Sequence, residues 1–161
     1  MPKRKVFYSF HYNNDVFRVQ QIRNMGILEG NSPTTPNEWE VIKQSGDAAI
    51  KRWINANLQF KSCVIVLIGS ETADRKWVNY EIEQAWNEGK GLLGIYIHNL
   101  NCPKRGTCKQ GKNPFSNFTV NGIPLSNIVK TYNPSSSNAY NEIKDNIERW
   151  IEEAIEIRQG Y

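Results

Sequence analysis

Histidine and cysteine are scarce in this chain of 161 residues, which holds only His11 and His98, and Cys63, Cys102 and Cys108. Structural zinc wants four ligands in tight pairs, and this spacing cannot assemble them, so no metal site is expected. A Ser-His-Asp or Cys-His nucleophile would have to recruit one of two histidines that lie in no recognisable motif. Cys63 sits in the most apolar run and reads as a small core residue. Cys102 and Cys108 are close enough to pair, but a reducing cytosol favours two free thiols. Long apolar runs are missing too: the longest, Cys63 to Gly69, is far short of the roughly 20 residues a membrane helix needs. The basic start, Met1-Pro-Lys-Arg-Lys5, runs into Phe7-Tyr-Ser-Phe-His-Tyr12 without the apolar stretch and cleavage site of a secretory leader. These absences lead to the expectation of a cytoplasmic protein that meets no membrane. The length suits one domain over residues 1–161.

What is present is of average polarity, with 22% charged residues and a mean hydropathy of −0.60. The net charge of +4 is unevenly spread. Residues 100–132 hold five Lys/Arg and no acid, whereas residues 140–161 hold six acids against three bases. The basic stretch reads either as a solvated loop or as a surface for phosphates. Nucleic acid is not an expected partner, because the bases neither cluster strongly nor interleave with aromatics.

Along the chain, Lys5 to Phe10 is rich in strand formers, and His11-Tyr-Asn-Asn-Asp15 breaks the pattern with turn and cap residues. Val16, Val19, Ile22 and Arg23 follow at helical spacing until Gly26. Residues 26–36 look like a loop or a degenerate strand. Thr35-Pro36-Asn37-Glu38 forms a capping box that opens a helix whose apolar face runs Trp39, Ile42, Gly46, Ile50, Trp53, Ile54 and Leu58. Ser62 to Gly69 and Leu92 to Ile97 are β-branched runs with no polar alternation, as in strands buried on both faces. Between them a helix is expected from about Arg75 to Glu88, and a last helix over about 138–158. The core spans residues 5–98, and an Asn/Pro/Gly-rich excursion fills 99–127, with a short strand after it at Ile128 to Tyr132. Strands alternating with helices imply an α/β fold with a central parallel β-sheet flanked by helices on both faces. Ligands of such sheets bind at the C-terminal strand edge, near Phe10 to Asp15, Gly69 to Trp77 and the loop after Ile97.

One carboxylate falls where an apolar residue is expected. With Trp77 at zero on a helical wheel, Ala85 lies near 80°, Val78 near 100°, Ile82 near 140° and Trp86 near 180°. Glu81 falls at about 40°, inside that apolar arc, while Glu83 falls near 240° on the polar side. A carboxylate there must be paired, hydrogen-bonded, at a wet rim or part of a site. Periodicity does not choose among these.

Ile65-Val-Leu-Ile-Gly-Ser70 followed by Trp77-Val-Asn-Tyr-Glu81 resembles the third strand and next helix of TIR domains. Val6-Phe-Tyr-Ser-Phe-His11 is similar to the first-strand signature of that family. Asp15, Phe17-Arg18-Val19, Arg23-Asn24, Trp39-Glu40 and Arg75 to Ile82 extend the likeness to the bacterial, ThsB-like TIR branch of Thoeris anti-phage systems. The resemblance covers about Lys5 to Ile97 and implies a flavodoxin-like TIR fold. It implies an enzyme that takes NAD⁺ as substrate, with no separate cofactor. Glu81 would be catalytic, engaging the ribose attached to nicotinamide, much as glycosidase carboxylates stabilise an oxocarbenium-like centre. Ser9, Phe10 and His11 would line the pocket and Trp77 would wall it. Trp39 reads as core, and Arg75 and Lys76 could meet phosphate or solvent. Hydrolysis would give ADP-ribose, and an internal acceptor a cyclic isomer. A cyclised or conjugated ADP-ribose is the expected product, acting as a diffusible signal to a separate effector on another chain after a phage-derived trigger. Self-association is left open, since the stretch holding the family's second strand is short here. The alternatives are a non-catalytic TIR interaction module and a nucleoside deoxyribosyltransferase-like enzyme. A receiver domain lacks its acid pair, and a flavodoxin its phosphate loop.

Overall fold

In the computed structural model, which describes residues 4–30, 41–100 and 109–161, the unbroken β-branched runs form the middle of a parallel sheet. The elements are β1 (Val6–Ser9), α1 (Tyr12–Arg23), α2 (Asp47–Leu58), β2 (Cys63–Ile68), α3 (Lys76–Asn87) and β3 (Gly91–Tyr96). A hairpin, β4 (Thr119–Val120) with β5 (Ile123–Pro124), then β6 (Thr131–Tyr132) and α4 (Ala139–Gln159), complete the chain. The sheet order is β1-β2-β3-β6, all parallel, with Ser9 opposite Val66 and Ile68 opposite Tyr96. Every residue of β2 and β3 is buried, as expected for strands covered on both faces.

Alternation along the strands sorts the core into two layers. Val6, Tyr8, Ile65, Leu67, Leu93 and Ile95 face α1 and α4, meeting Val19, Ile22, Ile143, Ile147 and Ile151. Phe7, Val64, Val66, Ile68 and Leu92 face α2 and α3, meeting Ile50, Ile54, Leu58, Val78, Ile82 and Ala85. The excursion also enters this second layer through Phe115, Leu125, Ile128 and Val129. Among its described residues this connection carries two short 3-10 turns, Pro114–Asn117 and Leu125–Asn127.

Several expectations change. The helix read through to Leu58 is interrupted: residues 41–44 form a helical turn, and Gly46, placed on the apolar face by spacing, instead caps α2 at φ 92°, outside helical geometry. Asp15, read as a turn and cap residue, lies within α1 and is buried. Of the stretch 26–36, read as a loop or degenerate strand, residues 26–30 supply one parallel bridge, Lys5 to Glu29, on the edge of β1 away from β2, and the rest lies outside the described residues. The strand expected at Ile128 to Tyr132 is only Thr131–Tyr132. The Thr35–Glu38 capping box, Trp39, Cys102 and Cys108 lie outside the described residues.

Glycine lets β3 and α4 approach closely. A Cβ on Gly91 would come within 2.9 Å of the Ile155 backbone nitrogen on α4. Since backbone cannot swing aside as a side chain can, Gly91→Ala should destabilise the fold by about 1–3 kcal/mol. Urea unfolding would show this as a lower midpoint with an unchanged slope.

Candidate active site

The Lys5–Glu29 bridge decides where the ligand crevice lies. The chain leaves β1 through α1 to one side of that strand, returns through α2, and lays β2 on the other side. The sequence order therefore reverses between β1 and β2, the topological switch point at which open α/β sheets open a crevice at the carboxyl ends of their strands. Ser9 ends β1 on this crevice, and Gly69 follows β2 on its other wall.

Glu81 is brought to the same place. It shares the buried stripe of α3 with Val78, Ile82 and Ala85, while Trp77 and Trp86 lie half-buried at the margins, as the wheel predicts. Ser9 shares the sheet face of Phe7, which is the face α3 packs on. The Ser9 hydroxyl, itself without solvent exposure, donates a 2.7 Å hydrogen bond to Glu81 Oε1. Glu81 is 7% exposed. Burial pushes its carboxyl up to about 8, against a smaller lowering by the Ser9 bond. At neutral pH Glu81 is therefore mainly a neutral acid.

The other sequence candidates are distributed around this pair. Trp77 lies one helical turn nearer the sheet edge, packed edge-on against Tyr80 at 5.7 Å with the Lys76 ammonium 4.8 Å over its ring. His11 is the half-buried cap residue of α1. Phe10 packs against the layer on the α1 and α4 side, the opposite face from Ser9 and Glu81. The structure thus joins Ser9 with Glu81 and does not place Phe10 beside them. Arg75 and Lys76 are exposed and engaged with Glu71 and Asp47.

A buried ion pair escaped the sequence reading. Arg18 Nη1 lies 3.3 Å from Asp15 Oδ1, with side-chain exposures of 1% and 0%. Arg18 Nε also donates to the Leu100 carbonyl at 2.9 Å. Gly69 abuts the Asp15 carboxylate so closely that a Cβ there would collide with it. The pair thereby ties α1 to the chain just beyond both β2 and β3. The signal was available: Asp15 and Arg18 fall at i and i+3 on the stripe of Val19 and Ile22. His98, also buried at the β3 end, is held below its ordinary pKa by burial and then by the Arg18 charge. Both effects favour its neutral form. Among the described residues no set of three His, Cys, Asp or Glu side chains could hold a metal ion.

A parallel sheet with its switch point between β1 and β2, and a buried acid one turn into the helix after β2, is the α/β architecture that the resemblance to TIR domains implies. The match to known proteins makes this specific. The chain belongs to the family described as "Thoeris protein ThsB, TIR-like domain", whose model matches residues 7–102. It is 39% identical over 118 residues to a Bacillus cereus (strain MSX-D12) protein named "Putative cyclic ADP-D-ribose synthase ThsB1". That match takes in 70% of this chain and 61% of the relative, so the chain spans about three fifths of the relative's length. Receiver, flavodoxin and deoxyribosyltransferase readings are set aside by this membership.

Two outcomes test the electrostatics. Glu81 is raised from its ordinary 4.5 to about 8 in the folded chain. Between those values the unfolded chain releases the proton and the folded chain keeps it, so stability falls as pH rises through that window. Glu81→Gln should therefore match wild type near pH 5 and melt higher near pH 8, by on the order of 5 °C. A calorimetric melting series across pH checks it. Arg18→Met leaves Asp15 buried without its cation and should cost about 3–5 kcal/mol in chemical unfolding.

Proposed function

We propose that this chain is a TIR-domain enzyme of bacterial anti-phage defence that cleaves the nicotinamide–ribose bond of NAD⁺ and forms a cyclic or conjugated ADP-ribose. The observation that carries this reading is Glu81, an acid buried on an apolar stripe at the switch point with Ser9 as its hydrogen-bond donor. The name of the Bacillus relative supports the product class.

Departure of nicotinamide leaves positive charge on the anomeric carbon and ring oxygen of the ribose. A carboxylate in a desolvated crevice stabilises that charge far better than water can. The cationic nicotinamide ring also supplies a positive charge beside the acid. Opposite charge beside Glu81 favours its ionised form, so substrate binding itself promotes loss of the proton. Ser9 holds the carboxyl in place while this happens, and Trp77 walls the mouth of the crevice. Once nicotinamide leaves, an acceptor on the adenosine part bonds to the anomeric carbon and gives up its proton, closing the ring. The only small molecule required is NAD⁺ itself, as substrate. The reading includes a phage-derived trigger, a cytoplasmic setting and a separate effector reached by the diffusible product. Among the described residues no helix is long and apolar enough to cross a membrane.

Nicotinamide release from NAD⁺, measured with the trigger present, should fall by about 100-fold or more in Glu81→Gln. For wild type, kcat/KM should climb with pH until about 8, following the free carboxyl. The kcat profile should rise at lower pH, because the bound cation eases ionisation. Mass spectrometry of infected cells should find a cyclic or conjugated ADP-ribose with wild type and none with Glu81→Gln. Linear ADP-ribose alone would overturn the signalling part of the reading.

A further inference from the structure

The second half of the excursion forms a strap across the edge where the crevice opens. Gln110 contacts Asn133 just past β6, and Gly111 lies against the Gly69 carbonyl just past β2. Because β3 lies between β2 and β6, the strap spans the C-terminal end of β3. Its position is fixed at two points. A Cβ on Gly111 would collide with Gly69, and Asn117 Nδ2 donates to the Ala73 carbonyl at 3.0 Å in the loop before α3. Lys109 and Lys112 flank Gly111, both exposed.

Among the described residues, three other cations near this edge are engaged. Arg18 is buried with Asp15, Arg75 pairs with Glu71, and Lys76 pairs with Asp47. Lys109 and Lys112 have no carboxylate partner among the described residues, and residues 100–132 contain no acid at all. We infer that Lys109 and Lys112 hold the phosphates of a dinucleotide substrate over the C-terminal edge of the sheet. The assignment rests on the NAD⁺ reading above.

Geometry sets the register. Ser9 pairs with Val66, and Gly69 lies three residues further along, so the strap sits about 10 Å beyond the level of Ser9. A ribose carries its 5′-phosphate across the ring from its anomeric carbon. A substrate whose anomeric carbon meets Glu81 deep in the crevice therefore sends its phosphates outward, toward the strap. Lysine ammoniums serve as mobile point charges for such oxygens, forming charge-assisted hydrogen bonds.

The test uses ADP-ribose as a binding probe, which needs no turnover, and Lys109→Gln/Lys112→Gln as the variant. Both lysines are exposed, so the melting temperature should not move. Calorimetry should show ADP-ribose bound about tenfold or more weakly by the double variant. KM for NAD⁺ should rise by the same factor with kcat within about twofold, and Lys112→Arg should restore part of the loss. Cleavage of nicotinamide riboside, which has the reacting ribose but no phosphate, should be unchanged. Equal ADP-ribose affinity in both proteins, an equal loss with the riboside, or a wild type that does not bind ADP-ribose would overturn the assignment. A wild type that binds ADP-ribose through these lysines yet releases no nicotinamide would instead refute the enzyme reading and leave the phosphate site standing.

Discussion

The hydrogen bond from Ser9 to Glu81 bridges 72 residues of sequence and joins the end of β1 to the middle of α3. Much of the structure is arranged so that it can form. Glu81 lies on the stripe by which α3 packs, so the helix cannot bury Val78, Ile82 and Ala85 without burying the carboxyl with them. The fold meets this constraint by keeping the acid protonated and giving it one hydroxyl partner. A leucine at that position would pack with no such requirement. Site and core are therefore made from the same helix face, and the acid's chemistry is inherited from the layer it is packed in.

Around that bond the sheet edge is held by contacts that fix backbone rather than side chains. Arg18 reaches the Leu100 carbonyl, and Gly69 presses on Asp15. The Gly69 amide donates to Thr72 Oγ1, and Asn117 holds the Ala73 carbonyl. Each contact ties a loop at a strand's carboxyl end to a neighbour. Preorganisation of this kind lets a crevice lined by loops present one acid in one place.

Legibility in the sequence followed physical scale. The buried strands were readable because six consecutive apolar residues have no alternative to a two-sided layer, and α3 because its period was clean. Glu81 stood out by violating that period. That Ser9 lines the same pocket as Glu81 is implied only by the family resemblance, and their hydrogen bond not at all, because periodicity cannot say which strand a helix will cover. The break at Gly46 was missed because glycine was counted as an apolar spacer, when its positive φ was the relevant property. The Asp15–Arg18 pair escapes because Asp15 reads as a turn and cap residue, which leaves it off the helical stripe it shares with Arg18, Val19 and Ile22. The course of the strap follows from contacts between segments far apart in sequence, which no local pattern records.

On the proposed reading, the placement of charge also fixes which way the substrate lies. NAD⁺ carries a cation at its nicotinamide end and anionic phosphates at its middle. The crevice offers an ionisable acid at its base and two cationic side chains at its rim. The reverse orientation would bring phosphates toward Glu81 and set the nicotinamide cation toward Lys109 and Lys112. Both arrangements oppose like charges, and such mismatches exclude a wrong register more strongly than the right contacts reward the correct one. The acid's resting neutrality adds to the discrimination. A ligand with no positive charge gains nothing from ionising Glu81 and leaves the carboxyl protonated. The same burial that makes the acid costly to the fold thus makes it selective for a cationic leaving group.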